Sequence, residues 1–321
     1  MDYVAMKSYH GLIEKLSKTS KIDKGGLALS LVSFVRVANH DYISVKRGIK
    51  ESLDLINFNF SRNVNKIVIK PNMCYYYHPS TGEVTDPWFV SVLIDVLRDN
   101  FGENSDIYVV ESDASAMKCK YAFKMLGYDR MARDKNVKLI NLTETKSKIV
   151  DITVNNVKFE FHVPELFYKA DLVVNVPKIK YMSYVKITCA LKNMFGCNAF
   201  PRKYIYHKAL DEAIVGINKL IRTNLVMVDG LIVSGRHTKR LGLVMASEDP
   251  VTADTAAAKL MGLNPRSVRH ITLAFEEGLG NMNYLPVGEI SYFEENFPRW
   301  NLKDKLWKTI SSVYLKVLPE G

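Results

Sequence analysis

Short apolar runs of strand length alternate with helically spaced segments along most of this chain, and that alternation permits few folds. Residues 27–37 (LALSLVSFVRV) are rich in β-branched side chains and alternate in polarity, as a strand does. Residues 42–56 place Val45, Ile49, Leu53 and Ile56 on one helical face, and residues 66–70 form a short apolar run stopped by Pro71. Strand, helix and strand in that order make the βαβ unit of a parallel sheet. The pattern then repeats, with Pro87 opening a helix over 87–99, a strand at 106–110 and a helix over 114–126 closed by Gly127. Residues 137–142 read as a strand and residues 148–163 as a β-hairpin around Asn155-Asn156. A strand at 172–176, a helix over 208–221 and strands at 224–228 and 243–246 follow. Asp249-Pro250 opens a helix that Gly262 caps, and a last helix over 267–277 ends at Gly278. The expected fold class is α/β, a mostly parallel β-sheet flanked by helices, with a β-hairpin insertion.

The chain has 321 residues, 47% of them hydrophobic, enough for a substantial core. Residues 27–297 are expected to form a single α/β domain, with an extension over 1–26 before it. No run of about 18 apolar residues suggests a membrane-spanning helix, and residues 1–20 lack the apolar stretch of a signal peptide. A cytoplasmic protein is the expectation. Residues 298–321 are expected to form an amphipathic basic helix. Within 302–318, Leu302, Leu306, Trp307, Ile310, Val313, Tyr314 and Val317 share one face, and the lysines lie largely on the other. Such a helix can make peripheral contact with an anionic membrane or pack on protein.

The four cysteines, Cys74, Cys119, Cys189 and Cys197, are widely spaced, so no motif for a cysteine-ligated iron–sulfur cluster or zinc ribbon is written here. The net charge of +10 invites comparison with nucleic-acid-binding proteins. Its even spread along the chain, without a recognisable binding module, argues against nucleic acid and for an anionic small molecule or a membrane surface.

Residues 175–196 concentrate the polar chemistry. They set Lys178, Lys180, Lys186 and Lys192 among apolar residues without a single Asp or Glu. Lysines gathered without local carboxylates call for another source of negative charge, and a bound anion is the simplest. Lys178 and Lys180 are each other's neighbouring cation in an apolar setting, which lowers lysine basicity. One of them could act as a base or amine nucleophile while the others hold the anion.

Ligands of α/β sheets gather beyond the carboxyl ends of strands. The expected strand ends here are polar: Lys70-Pro71-Asn72, Glu111-Ser112-Asp113, Asn175 to Lys178, Asp229-Gly230 and Ser247-Glu248-Asp249. Each also has an ordinary structural use. Asp249 suits a helix cap, Asp229-Gly230 a turn, Asp254 a first-turn charge and Lys70 a snorkelling strand end. Thr85 precedes the helix opened by Pro87, whose free N–H groups could receive an anion, although Thr85 or Asp86 could also cap it. His207 could exchange protons if a partner set its tautomer, and would otherwise be a surface imidazole. No GxGxxG or GxxxxGK[ST] motif occurs.

These residues resemble the family catalogued as domain of unknown function 362. The matching motifs are Lys70-Pro71-Asn72, Thr85-Asp86-Pro87, Ala170-Asp171 through Lys180, the Ala-Leu-Lys-Asn-x-Phe-Gly run from Ala190 to Gly196, and His207. Asp229-Gly230, Ser247 through Val251 with Asp254, and Gly278-Leu279-Gly280 extend the resemblance over residues 27–290. Many members carry a His soon after Pro-Lys-x-Lys, where this chain has Tyr181-Met182. Many also carry a ferredoxin-type module, which implies a separate iron–sulfur protein as partner for a chain without one.

Residues and resemblance together point to an enzyme acting on an anionic small molecule, carboxylated or phosphorylated. Lys178, His207 and Lys192 are the candidates for catalysis. Lys70, Asn72, Lys180, Asn193 and Thr85 are those for substrate binding, and Asp229, Asp249 and Asp254 could orient them or hold a divalent cation through oxygen ligands. A redox accessory to an iron–sulfur protein, and a non-catalytic anion-binding or membrane-surface protein, are the alternatives.

Overall fold

The computed structural model describes residues 29–300 apart from Arg62 and Cys74. The extension over 1–26 and the amphipathic helix over 302–318 thus lie outside the described residues. The strands are β1 (Ser30–Arg36), β2 (Lys66–Pro71), β3 (Asp106–Glu111), β4 (Lys138–Asn141), β5 (Ser147–Val154), β6 (Val157–Pro164), β7 (Leu172–Val176), β8 (Lys180–Met182), β9 (Lys186–Thr188), β10 (Leu225–Ser234), β11 (Thr238–Ser247) and β12 (Tyr284–Gly288). The helices are α1 (Tyr42–Leu55), α2 (Pro87–Phe101), α3 (Cys119–Met125), α4 (Tyr128–Asp134), α5 (Glu165–Tyr168), α6 (Ala190–Met194), α7 (Leu210–Leu220), α8 (Pro250–Leu260), α9 (Arg269–Glu276) and α10 (Ile290–Asn296). None among the described residues is long and apolar enough to cross a membrane.

The main sheet runs in the order β12-β1-β11-β10-β7-β2-β3-β4, with β8 and β9 attached beside β10. Along this path every neighbouring pair is parallel except the two that involve β11. The α/β reading therefore holds. Central β2 and β7 are nearly continuous apolar runs, because helices cover both faces of the sheet. One face packs against α1 to α4 around Val45, Ile49, Phe89 and Leu93. The other packs against α6 to α10 around Leu191, Ile214, Ala257 and Ile271. The hairpin insertion is β5–β6, and Asn155 and Asn156 turn it with φ of 46° and 63°.

Two expectations need correction. The strands expected at 224–228 and 243–246 extend into one long antiparallel hairpin, β10–β11. Its register shifts between Gly230 and Ile232, where a Cβ on Gly230 would lie 2.7 Å from the Leu243 Cβ. Because β11 runs backwards, Ser247 pairs with Val226 near the start of β10. Ser247-Glu248-Asp249 thus sits at the amino edge of the parallel strands, away from the other polar strand ends. The helix expected over 114–126 is also shorter, and a second helix, α4, follows Gly127, whose φ is +83°.

From β2 the chain steps through β3 to β4 on one side, and β7 lies on the other. This reversal is a topological switch point, and the crevice position beyond the carboxyl ends of β2 and β7 is the usual place for a ligand in such a sheet.

Candidate functional site

Four chain segments meet over that crevice. β2 delivers Lys70 and, just beyond its end, Asn72; β3 delivers Glu111 and then Ser112 and Asp113. β7 delivers Asn175 and leads into Lys178. The short helix α6 closes the top. It is held by Asp254 of α8, whose buried carboxylate accepts hydrogen bonds from Ala190 N at 2.6 Å and Leu191 N at 3.3 Å. Those are the amides a helix start leaves unpaired. Asn175 adds a bond from its Nδ2 to Ala190 O at 2.8 Å. Fixed in this way, α6 turns Asn193 inward, and its Nδ2 donates to Asn175 Oδ1 at 2.7 Å and Lys70 O at 3.0 Å.

Asn72 joins through its Nδ2, which donates to Asn193 Oδ1 at 3.3 Å, while its own buried Oδ1 has no donor among the described residues. Thr85 is fully buried: its hydroxyl donates to Val176 O and accepts from Asn72 N. Asp86, rather than Thr85, caps α2 by accepting from Trp88 N.

The lysines are compensated, but by residues remote in sequence. Lys70 Nζ meets Glu111 Oε2 at 2.7 Å, with both side chains buried. Lys178 Nζ lies 3.2 Å from Asp229 Oδ2 and donates to Ile232 O at 2.6 Å. Burial, and then the charge of Lys180, pull Lys178 below the ordinary lysine range, against the attraction of Asp229 and Asp86. Asp229 Oδ2 also accepts from Asp86 N at 3.0 Å. Burial raises Asp86 above the usual carboxylate range, with Asp229 adding to the shift and the Trp88 N–H opposing it. Lys180 Nζ donates to Glu83 O at 2.7 Å. The premise that these lysines lack negative neighbours therefore fails; adjacent strands and loops supply the carboxylates.

Lys203, which the sequence did not single out, is the exception. It is buried, and its Nζ donates to Asp113 O at 2.6 Å and to Ser112 Oγ; the Ser112 hydroxyl in turn donates to Gly196 O. It forms no ion pair among the described residues. Burial, with the positive charge of Lys70 adding to it, lowers its pKa to about 8, although Glu111 and Asp113 pull the other way. Gly196 makes this packing feasible: a Cβ there would lie 3.0 Å from both Glu111 Oε1 and Lys70 Cε.

Several expected site residues lie elsewhere. His207 is exposed, its ring 5.9 Å from that of Tyr184, and takes no part in the buried network. Lys192 is half-buried, with its ammonium 4.8 Å from the Phe195 ring centre. Asp249 caps α8 through Thr252 N and accepts from Ser30 Oγ and Asn281 N at the amino edge. Asp254 is engaged at α6 and faces His270 Nε2 at 3.6 Å, while Asp211 holds the other ring nitrogen at 3.2 Å. Burial disfavours the charged imidazole of His270, but these two carboxylates outweigh it and raise its pKa. Asp229, Asp249 and Asp254 therefore do not converge, and among the described residues no group of His, Cys, Asp and Glu is placed to hold a metal ion. The described cysteines are separately buried; burial pushes the Cys197 thiol up to about 12 and raises Cys119 and Cys189 as well.

Comparison with known proteins places this site within one matched segment. The profile of a family described as "Domain of unknown function (DUF362)" matches residues 67–259. A thylakoid-associated protein of Synechocystis sp. is 21% identical over 264 residues, covering 78% of this chain and 79% of that protein. The structure of the lactate racemase apoprotein from Thermoanaerobacterium thermosaccharolyticum aligns with a TM-score of 0.46 at 10% identity, over 73% of this chain and 57% of that one.

Proposed function

We propose that this chain, which belongs to the DUF362 family, is an enzyme acting on an anionic small molecule, carboxylated or phosphorylated, in the crevice beyond β2, β3 and β7. The observation that carries this reading is the state of Lys203. A lysine with a pKa of about 8 is partly a free amine at neutral pH. It can then take a proton from a carbon or oxygen acid, or attack an electrophilic carbonyl. Buried Lys70, paired with Glu111, lies within electrostatic reach of Lys203, and in a water-poor setting such charge acts strongly on a developing anion. Asn72 Oδ1 offers an acceptor to a substrate hydroxyl or amine. Lys180, Asn193 and Thr85 position this machinery through the contacts already described.

Methyl acetyl phosphate, an anionic reagent that acetylates amines, provides the test. After brief treatment at pH 7.5 and peptide mapping, Lys203 should be acetylated ahead of exposed Lys208, and inorganic phosphate or malonate should protect it. If Lys203 stays unmodified while Lys208 reacts, the reading is wrong.

A second reading, contact with an anionic membrane surface, is supported by the net charge of +10 and by the description of the Synechocystis relative as thylakoid-associated. Equal flotation with anionic liposomes of the full chain and a chain ending at residue 298 would remove the role of residues 302–318.

A further inference from the structure

A second cationic feature lies on the same edge of the sheet and outside the network just described. The end of β1 and the start of β11 bound a cleft of about 400 Å³, lined by Arg36, His40, Arg240 and Tyr292 among others. Arg36 pairs with Leu243, and Arg240 with Ile232 on β10. Ile232 is the residue whose carbonyl accepts from Lys178 Nζ. Arg240 therefore stands one strand away from the Lys178–Asp229 pair, and His40 is within electrostatic reach of both those side chains.

Both guanidinium groups are exposed, and neither forms an ion pair among the described residues. Arg36 is steadied over the Tyr292 ring, 4.0 Å from its centre. Asp41 also lines the cleft, but its carboxylate is committed to capping α1, accepting from Ser44 N and Ser44 Oγ at 2.8 Å each. The two guanidinium groups outnumber this one carboxylate, so the charged lining of the cleft is net positive. Burial, and then the charge of Arg240, hold His40 below its ordinary pKa, so its imidazole offers one N–H donor and one acceptor. The floor is fixed by the backbone: Val37 N donates to Gly242 O at 2.7 Å. Gly242 has φ of +69°, and a Cβ on it would come within 2.3 Å of Val37 O. No other residue type allows that approach.

We propose that the Arg36–His40–Arg240 cleft is a second anion site that binds a phosphate group. Two forked guanidinium donors match a dianion with three terminal oxygens better than a monocarboxylate, which would occupy only one of them. The inference does not depend on the chemistry of Lys203. Arg36 and His40 precede the family-matched segment of residues 67–259, so the site need not be common to the family.

Calorimetric titration of the full chain with methyl phosphate is the test. Saturable binding is expected, weakened about tenfold or more in Arg240→Gln and further in Arg36→Gln/Arg240→Gln, because each charge-assisted hydrogen bond is worth about that factor. Acetate should bind more weakly than methyl phosphate. Lys203→Met should retain the cleft's binding, which separates failure of this site from failure of the Lys203 reading. A parallel titration with vesicles carrying phosphatidic acid distinguishes a lipid headgroup from a free ester. The proposal is overturned if the full chain does not bind methyl phosphate at millimolar concentration. Equal affinity in the double arginine variant, or binding abolished by Lys203→Met alone, would overturn it too.

Discussion

Lys178 and Lys203 are both buried at the carboxyl edge of the sheet, yet they sit in opposite circumstances. Lys178 has a carboxylate, Asp229, at 3.2 Å. Lys203 has only a hydroxyl and a peptide carbonyl. Removing an ammonium from water costs several kcal/mol, and an adjacent carboxylate largely offsets that cost whereas neutral dipoles do so less well. Burial draws both below the ordinary lysine range, but Lys178 is opposed by a carboxylate in contact, and Lys203 only by carboxylates that make no ion pair with it. Both kinds of lysine at one edge of the sheet are what the proposed chemistry on an anion draws on.

The largest effect should come from breaking the compensated pair. Asp229→Ala leaves Lys178 buried without its carboxylate and deprives Asp86 N of its acceptor. We expect a loss of about 3–5 kcal/mol in urea unfolding, most of it recovered by adding Lys178→Met. A loss below about 1 kcal/mol would mean that the pair is solvated and unlike its neighbour.

The uncompensated lysine should appear as a pH dependence. The folded pKa of Lys203, about 8, lies below the unfolded value of about 10.4. Between those values the unfolded chain carries the extra proton, so this group makes stability rise with pH through that window. Relative to Lys203→Met, the parent chain should gain roughly 2 kcal/mol between pH 7 and pH 9.5. Parallel stability curves for the two proteins would erase the distinction between the lysines.

Much of the scaffold was legible in the sequence, for identifiable reasons. β2 and β7 are buried on both faces, so nearly every residue in them is apolar. Asn155-Asn156 marks its hairpin because both residues tolerate positive φ. β11 was harder, because nothing local distinguishes an antiparallel strand from a parallel one in a buried sheet. That reversal moved Asp249 to the other edge and dissolved the expected trio of aspartates.

The site was legible in its lysines and asparagines and hidden in its partners. Lys70 and Glu111 are 41 residues apart, and Asp254 reaches Ala190 across 64. An acid-free stretch of sequence is therefore not an acid-free environment. Lys203 carried no signal beyond being a lysine in a short loop, where solvation is the ordinary outcome. His207 carried a stronger signal, as the motif histidine beside the lysine segment, and proved exposed. Arg36 and Arg240 stand 204 positions apart by their numbers, and only the pairing of β1 with β11 brings them to one cleft.

The central claim is that one lysine of the crevice titrates near neutrality, and side-chain NMR of carbon-13-labelled protein tests it most directly. Lysine Cε resonances followed from pH 6 to pH 11 should include one that titrates near 8, is absent from Lys203→Met, and moves to a higher midpoint when phosphate or malonate is added. If every lysine resonance lost in Lys203→Met titrates above pH 10, Lys203 is an ordinary charged lysine and the account of this site is wrong.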